Sequence, residues 1–165
     1  MEIPVLILGE SGSGKSTSIE NFDIDEVGIF NVASKVLPFR KKFNKMNNVK
    51  HGHIINALNF RNLIHFIITG TPDDVIVYFL HHTEETENGK IKAKTSGKML
   101  DTQLTLEGLF SIVLLCEVDG DKHKFITQSD GYTTCKSPRE MFDREIPNDL
   151  KFVDNTIREY YELGE

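Results

Sequence analysis

The succession of apolar and polar stretches along the chain predicts strands first, then hairpins and a final helix. The unbroken apolar run Ile3–Leu8 is typical of a buried parallel strand. The run Val75–Leu80, rich in β-branched and aromatic residues, predicts a second core strand. Glu26–Val32 predicts a further strand, and the apolar spacing over His53–Ile68 predicts one or two helices that cover the sheet.

The second half of the chain has the pattern of hairpins followed by a helix. Asn88-Gly89 is a favourable two-residue hairpin turn with alternating flanks, and Ser111–Val118 with Lys122–Gln128 predicts a second hairpin. The stretch Phe152–Tyr161 predicts an amphipathic terminal helix. Its expected apolar face consists of Phe152, Val153, Ile157 and Tyr160. These elements indicate one α/β domain over residues 1–165, with a mostly parallel sheet and antiparallel hairpin additions.

The loop that follows the first strand has the sequence motif of a phosphate-binding loop. GESGSGKS, at Gly9–Ser16, matches G-x-x-x-x-G-K-[ST] at every fixed position, and Lys15–Phe22 is expected to continue as a short helix. Its glycines permit unusual backbone angles, so that successive N–H groups and the helix dipole can hold a phosphate. Lys15 is expected to reach the β- and γ-phosphates, and Ser16 to bind Mg²⁺. The alternative is a glycine-rich turn with no ligand. The predicted ligands are ATP and Mg²⁺, and the predicted binding residues are Gly9, Ser11, Gly12, Ser13, Gly14, Lys15, Ser16 and Thr17.

An acid that would complete a hydrolytic site is hard to find. Nucleotide hydrolases normally carry an Asp at the end of a second core strand, together with a group that orients the attacking water. Asp73 and Asp74 precede their strand, which is the wrong end of a parallel sheet. The remaining candidates for a catalytic or phosphate-sensing role are His82, Glu84 and Glu117. His81 and His82 have a second interpretation as ordinary strand-end histidines.

Charge is distributed unevenly along the sequence. The net charge is −6, yet Val27–Pro72 contains no Asp or Glu and carries +7, which leaves −13 on the rest. This asymmetry is typical of a surface that faces a polyanion, although a solvated basic loop is the alternative. The candidate nucleic-acid contacts are Arg40, Lys41, Lys42 and Lys45.

Composition excludes several classes of protein. The apolar stretches are too short to cross a bilayer, and the acidic start MEIPVLILGE does not have the basic beginning of a cleavable signal. Cys116 and Cys135 lack CxxC spacing and are interpreted as reduced thiols, while the histidines lack the spacing of zinc ligands. We therefore expect a cytoplasmic protein with no membrane partner.

Several stretches together resemble a known family. They are ILGESGSGKSTS, Phe30-Asn31-Val32 with Leu37–Arg40, VIVYFLHHTEETENGKIKAKTSGKMLD, KSPREMF and NDLKFVDNTIREYY. This combination is similar to the small ATP-binding proteins of bacteriophages, which are P-loop NTPases with a RecA-like or AAA-like core encoded among replication and recombination genes. Some of these relatives are described as single-strand annealing proteins. The resemblance covers roughly residues 3–42 and 70–162.

The sequence also departs from that family. Relatives carry an extra strand ending in Asp-Asp before the VIVYFLHH strand, whereas the interval His51–Thr71 contains no acid. Where RecA-type ATPases place a catalytic Glu, this chain has Asn31–Ser34. The chain thus resembles a shortened member without the Walker B segment, and hydrolysis is in question.

The resemblance implies an ATP-binding accessory of phage DNA recombination or replication. Such a protein would work as an oligomer on single-stranded DNA in the cytoplasm of the bacterial host. One alternative is a nucleotide-gated binding module without turnover. The other is a small-molecule kinase. Kinases of this size generally use an arginine-rich lid to neutralise the phosphates, and this alternative is disfavoured because no two arginines of the chain are adjacent.

Overall fold

A computed structural model describes residues 3–29, 36–43, 62, 64–65, 69–95 and 105–163. Its main feature is a six-stranded mixed sheet with few helices. The strands are β1 (Ile3–Gly9), β2 (Ile76–Glu85), β3 (Ile91–Ala93), β4 (Ile112–Asp119), β5 (Lys122–Ile126) and β6 (Glu145–Pro147). The fold is therefore α/β, as the sequence predicted.

The sheet has the order β3-β2-β1-β4-β5-β6. The central strand β1 runs parallel to β2 on one side and to β4 on the other. The outer pairings β2–β3, β4–β5 and β5–β6 are antiparallel. The prediction of a mostly parallel sheet was thus wrong, because antiparallel pairings outnumber parallel ones. The reason is that both hairpins add their second strands to the same sheet that contains β1.

The sheet buries side chains on both faces. Every residue of β1 is buried, which explains why its sequence is continuously apolar rather than alternating. Val5 and Ile7 pack on the face covered by the C-terminal helix, Leu150–Tyr160, whereas Leu6 and Leu8 pack on the opposite face. The same alternation holds along β4, so these two strands form the centre of both hydrophobic clusters.

The C-terminal helix confirms one prediction and corrects its apolar face. Val153 and Ile157 are fully buried, but Phe152 and Tyr160 are 43% and 44% exposed. The helix instead begins two residues earlier, at Leu150, because the Asp149 side chain accepts hydrogen bonds from the N–H groups of Lys151 and Phe152.

The segment after the phosphate-binding loop is less helical than predicted. Only Thr17–Ile19 form a 3₁₀ turn, and the chain then turns again up to Phe22. Ile19 and Phe22 are nevertheless both buried in the same hydrophobic cluster, as their spacing suggested. A single turn provides almost no helix dipole. The expectation that a helix dipole would help to hold a phosphate was therefore wrong.

Other predicted elements are confirmed in part. The Asn88-Gly89 turn joins β2 and β3, with Gly89 at φ 74°, and Gly120 at φ 60° lies in the turn between β4 and β5. β2 is longer than its apolar core and continues through the histidines to Glu85, since Thr83–Glu85 pair with β3. The strand predicted over Glu26–Val32 was wrong for its described residues, because Glu26 lies in a turn and only Ile29 makes an isolated bridge; residues 30–32 lie outside the described residues. The described residues of His53–Ile68 are helical.

Candidate phosphate-binding site

The candidate site lies where three parallel strands end at one edge of the sheet. β1, β2 and β4 share one direction, so their carboxyl ends meet there. Gly9, the last residue of β1, is the register partner of His82 on β2. On the other side Leu8 pairs with Leu115, which brings Cys116 beside Gly9. This edge of an α/β sheet is where ligands generally bind.

Glycines of the loop are required for two different reasons. Gly12 and Gly14 have φ angles of 83° and 97°, which disfavour any residue with a Cβ. Gly9 is required for space instead. A Cβ added to Gly9 would lie 2.4 Å from the Ser13 Oγ and 3.1 Å from the Cys116 Cβ. The tight turn and the close approach expected of this motif are therefore both present.

Lys15 folds back across the loop. Its Nζ donates hydrogen bonds to the carbonyl oxygens of Gly9, at 2.7 Å, and Glu10, at 2.6 Å. Burial lowers the pKa of Lys15, and the nearby acidic groups of Cys116 and Glu10 partly oppose this shift. An ammonium group has three protons, so one remains for an anion in front of the loop.

A run of backbone donors lies in the same loop as this ammonium group. The N–H groups of residues 14–17 donate no hydrogen bond to any residue in the described part of the chain. The loop shape behind them is held by Ser18, whose N–H donates to the Gly14 carbonyl and whose hydroxyl donates to the Lys15 carbonyl. Consecutive N–H groups with no acceptor among the described residues are the kind of backbone arrangement to which an anion such as phosphate can bind.

Ser16 is suited to the metal role predicted for it. It precedes the 3₁₀ turn, but its side chain makes no capping hydrogen bond. Its hydroxyl is therefore available as an oxygen ligand for Mg²⁺, which prefers oxygen and keeps several waters when it is bound through phosphates. Among the described residues there is no group of three or more His, Cys, Asp or Glu side chains that could hold a metal without such help.

Three side chains that sequence analysis did not connect with the loop hold its tip. The carbonyl oxygen of Ser13 accepts hydrogen bonds from the Cys116 thiol, at 2.6 Å, and from the His123 Nδ1, at 2.8 Å. The Asn148 amide donates in turn to the Cys116 Sγ at 2.7 Å. Burial raises the pKa of Cys116, so the sulfur keeps the proton that it donates. We refer to Cys116, His123 and Asn148 as the clamp.

The candidate acids are engaged elsewhere. Glu84 forms an ion pair with its cross-strand partner Lys92 at 3.3 Å, and Glu117 forms one with its partner Lys124 at 3.7 Å. His82 is exposed and lies beside Gly9. His81 donates from Nε2 to the carbonyl oxygen of Lys94 at 2.7 Å. His82 is thus the one candidate of the three that the sheet brings next to the loop.

The basic candidates for nucleic-acid binding have separate roles. Arg40 and Lys42 are exposed. The Lys41 ammonium group donates to the carbonyl oxygens of Glu20, at 3.3 Å, and Phe22, and so connects its segment to the turn behind the loop. Lys45 lies outside the described residues. Lys41 is therefore a structural contact, and Arg40 and Lys42 stay candidates.

Comparison with protein-family models, curated proteins and solved structures finds no match for this chain. The described helices include none long and apolar enough to cross a membrane. Cys116 and Cys135 are both free thiols, as predicted.

Proposed function

We propose that this chain binds ATP with Mg²⁺ through residues Gly9–Thr17. The observation that carries the proposal is the run of N–H groups at residues 14–17 with no acceptor among the described residues, in the same loop as the Lys15 ammonium. Triphosphate oxygens would satisfy these donors, which the first turn of a helix otherwise leaves to water. When bound, the metal would neutralise phosphate charge, and Ser16 would hold it through its hydroxyl.

The protein is proposed to hold ATP with little turnover. Glu84 pairs with Lys92, and Glu117 shares Lys124 with Asp119 and Glu145, so both carboxylates are held in surface ion pairs on their own hairpins. The interval where related ATPases would carry their metal-binding acid, His51–Thr71, contains none. A nucleotide-gated binding module therefore fits these residues better than an efficient ATPase or a kinase.

The context that the sequence favours is phage DNA recombination or replication, with a P-loop NTPase core of the RecA-like type. That part of the proposal is supported by the resemblance of the quoted motifs and by the acid-free basic segment Val27–Pro72. Exposed Arg40 and Lys42 would contact the phosphates of single-stranded DNA.

Titration of the protein with MgATP, with phosphate release measured in parallel, tests the binding site. We expect micromolar binding, with hydrolysis at the background level. Lys15→Ala should abolish binding because it removes the charge beside the free N–H groups. Lys136→Ala is the matched control, since it removes the same charge from a residue whose backbone pairs with Val113, the second residue of β4 and near the end of that strand opposite the loop. Retained affinity in Lys15→Ala would refute the site.

Fluorescence anisotropy of a labelled oligonucleotide tests the DNA contact separately. Binding at low salt, with and without ATP, should weaken steeply as salt is raised. Arg40→Ala together with Lys42→Ala should reduce it, while MgATP affinity stays unchanged. Absence of any binding at low salt would remove DNA from the proposal and leave the nucleotide module.

A further inference from the structure

The clamp contacts one particular peptide group of the loop. Both the Cys116 thiol and the His123 ring donate to the carbonyl oxygen of Ser13, at 2.6 and 2.8 Å. In a trans peptide the carbonyl and the following N–H point in opposite directions. Because the Ser13–Gly14 peptide is trans, like every other peptide bond in the described ranges, the Gly14 N–H points away from the clamp. That N–H is the first of the four free donors of the candidate site.

This peptide group would turn over easily without support. Gly14, at φ 97°, has no Cβ to restrict rotation of the peptide bond that precedes it. A turned peptide would direct the Ser13 carbonyl, rather than the Gly14 N–H, toward an anion in front of the loop. A carbonyl oxygen facing a phosphate is repulsive, so the orientation of this group decides whether the loop attracts or repels a triphosphate.

We infer that Cys116, His123 and Asn148 are positioning residues for nucleotide binding, which act by holding the Ser13–Gly14 peptide with its N–H toward the phosphates. The inference rests on the proposed function and extends it to residues outside the phosphate-binding motif. Asn148 acts one step further out, since its amide donates to the Cys116 Sγ at 2.7 Å and directs the thiol proton toward Ser13.

The chemistry of the donors supports this role. A carbonyl oxygen only accepts hydrogen bonds, so the neutral His123 ring carries its proton on Nδ1. The charged ring also carries a proton there, and the contact with Ser13 is kept in both states. The ring also fills the space over Gly14, because a Cβ added to Gly14 would lie 2.9 Å from Nδ1.

The chain contains a matched control for the thiol. Cys116 and Cys135 are both 3% exposed, but Cys135 belongs to the hydrophobic cluster on the other face of the sheet. Cys116→Ala and Cys135→Ala therefore remove the same atoms from equally buried positions. Only the first removes a donor to the loop.

The test is the affinity for MgATP of full-length variants, with their folding verified by thermal unfolding. Cys116→Ala and His123→Phe should each weaken binding about tenfold or more, since a misdirected Gly14 N–H forfeits a charge-assisted hydrogen bond. Cys135→Ala should stay within about twofold of the wild type, a change that corresponds to a fraction of one hydrogen bond. Cys116→Ser and His123→Asn retain a donor in place and should recover most of the affinity. Nitrogen chemical shifts of the His123 ring should report the Nδ1–H tautomer.

Each outcome has a separate meaning. Wild-type binding that is lost in Lys15→Ala but unchanged in Cys116→Ala and His123→Phe would overturn the clamp and leave the proposed function intact. Equal loss in Cys116→Ala and Cys135→Ala would also overturn it, because loss of packing would then explain both. A wild type that does not bind MgATP would refute the proposed function itself, and the clamp with it.

Discussion

Alanine substitutions at Gly12 and Gly14 should differ in their effect on stability, although both residues have positive φ. At Gly12, with φ 83°, an added Cβ would meet no atom within 4 Å. Gly12→Ala should therefore lower the free energy of unfolding by about 1 kcal/mol. This loss comes from backbone strain alone and is partly offset by the lower entropy of the unfolded chain. In a chain of this length that corresponds to a decrease in Tm of about 3 °C.

The same change at Gly14 adds a collision with the clamp. The new Cβ would lie 2.9 Å from the His123 Nδ1 and 3.2 Å from the Asn148 Oδ1, so both side chains must shift. Their hydrogen bonds to Ser13 and Cys116 would then be lost or weakened, at about 1 kcal/mol each. Together with the strain, the free energy of unfolding should decrease by about 3 kcal/mol and Tm by about 9 °C.

Thermal and urea unfolding of the two variants measure this difference. A double-mutant cycle makes the test specific, because His123→Ala removes the ring that the new Cβ would meet. The combination Gly14→Ala with His123→Ala should be less destabilised than the sum of the single variants by about 1 kcal/mol. Equal Tm values for Gly12→Ala and Gly14→Ala, or strict additivity in the cycle, would refute the contact between His123 and the loop.

Three further predictions concern buried polar groups. Asp154 is 5% exposed and accepts hydrogen bonds from the Tyr78 hydroxyl at 2.9 Å and the Arg158 Nε at 2.6 Å. Asp154→Ala should therefore lower the free energy of unfolding in urea by about 3 kcal/mol, whereas Asn155→Ala, at an exposed position, should lower it by less than about 0.5 kcal/mol. Similar losses in the two variants would contradict this prediction. Burial first, and Asp154 second, raise the pKa of Tyr78 well above its ordinary value near 10. At high pH the Tyr78 hydroxyl in the folded state keeps its proton when the same group in the unfolded state has lost it. The contribution of Tyr78 to stability is therefore complete below about pH 10, the unfolded pKa, and is lost as pH rises through the folded pKa. Tyr78→Phe should therefore show less alkaline destabilisation than the wild type, and identical pH profiles would exclude this contribution. Ser13→Ala removes a buried hydroxyl that has no hydrogen-bond partner among the described residues, so this variant should preserve or raise Tm. Its MgATP affinity should stay unchanged, because Ser13 acts through its backbone carbonyl. A large loss of stability would show that the hydroxyl is satisfied.

Much of the fold was accessible from local patterns. β1, β2, both hairpin turns and the C-terminal helix follow from runs of apolar residues, from Asn88-Gly89 and from helical spacing, since each reflects backbone preferences and burial over a few neighbours. The same holds for the loop, whose glycines and Lys15 are adjacent in sequence. The helix after the loop was overestimated because Ile19 and Phe22 become buried without a continuous helix.

The arrangement around the loop tip had no such local signal. Cys116 and His123 meet the Ser13 carbonyl across separations of 103 and 110 residues, and a single hydrogen-bonded partner leaves no periodicity in the chain. Their approach depends on β4 pairing with β1 in the register that brings Cys116 beside Gly9, and on β5 folding back next to it. The glycine-rich sequence therefore predicts a phosphate-binding loop. Which way its central peptide points follows from the order of the strands, because that order brings the donors to it.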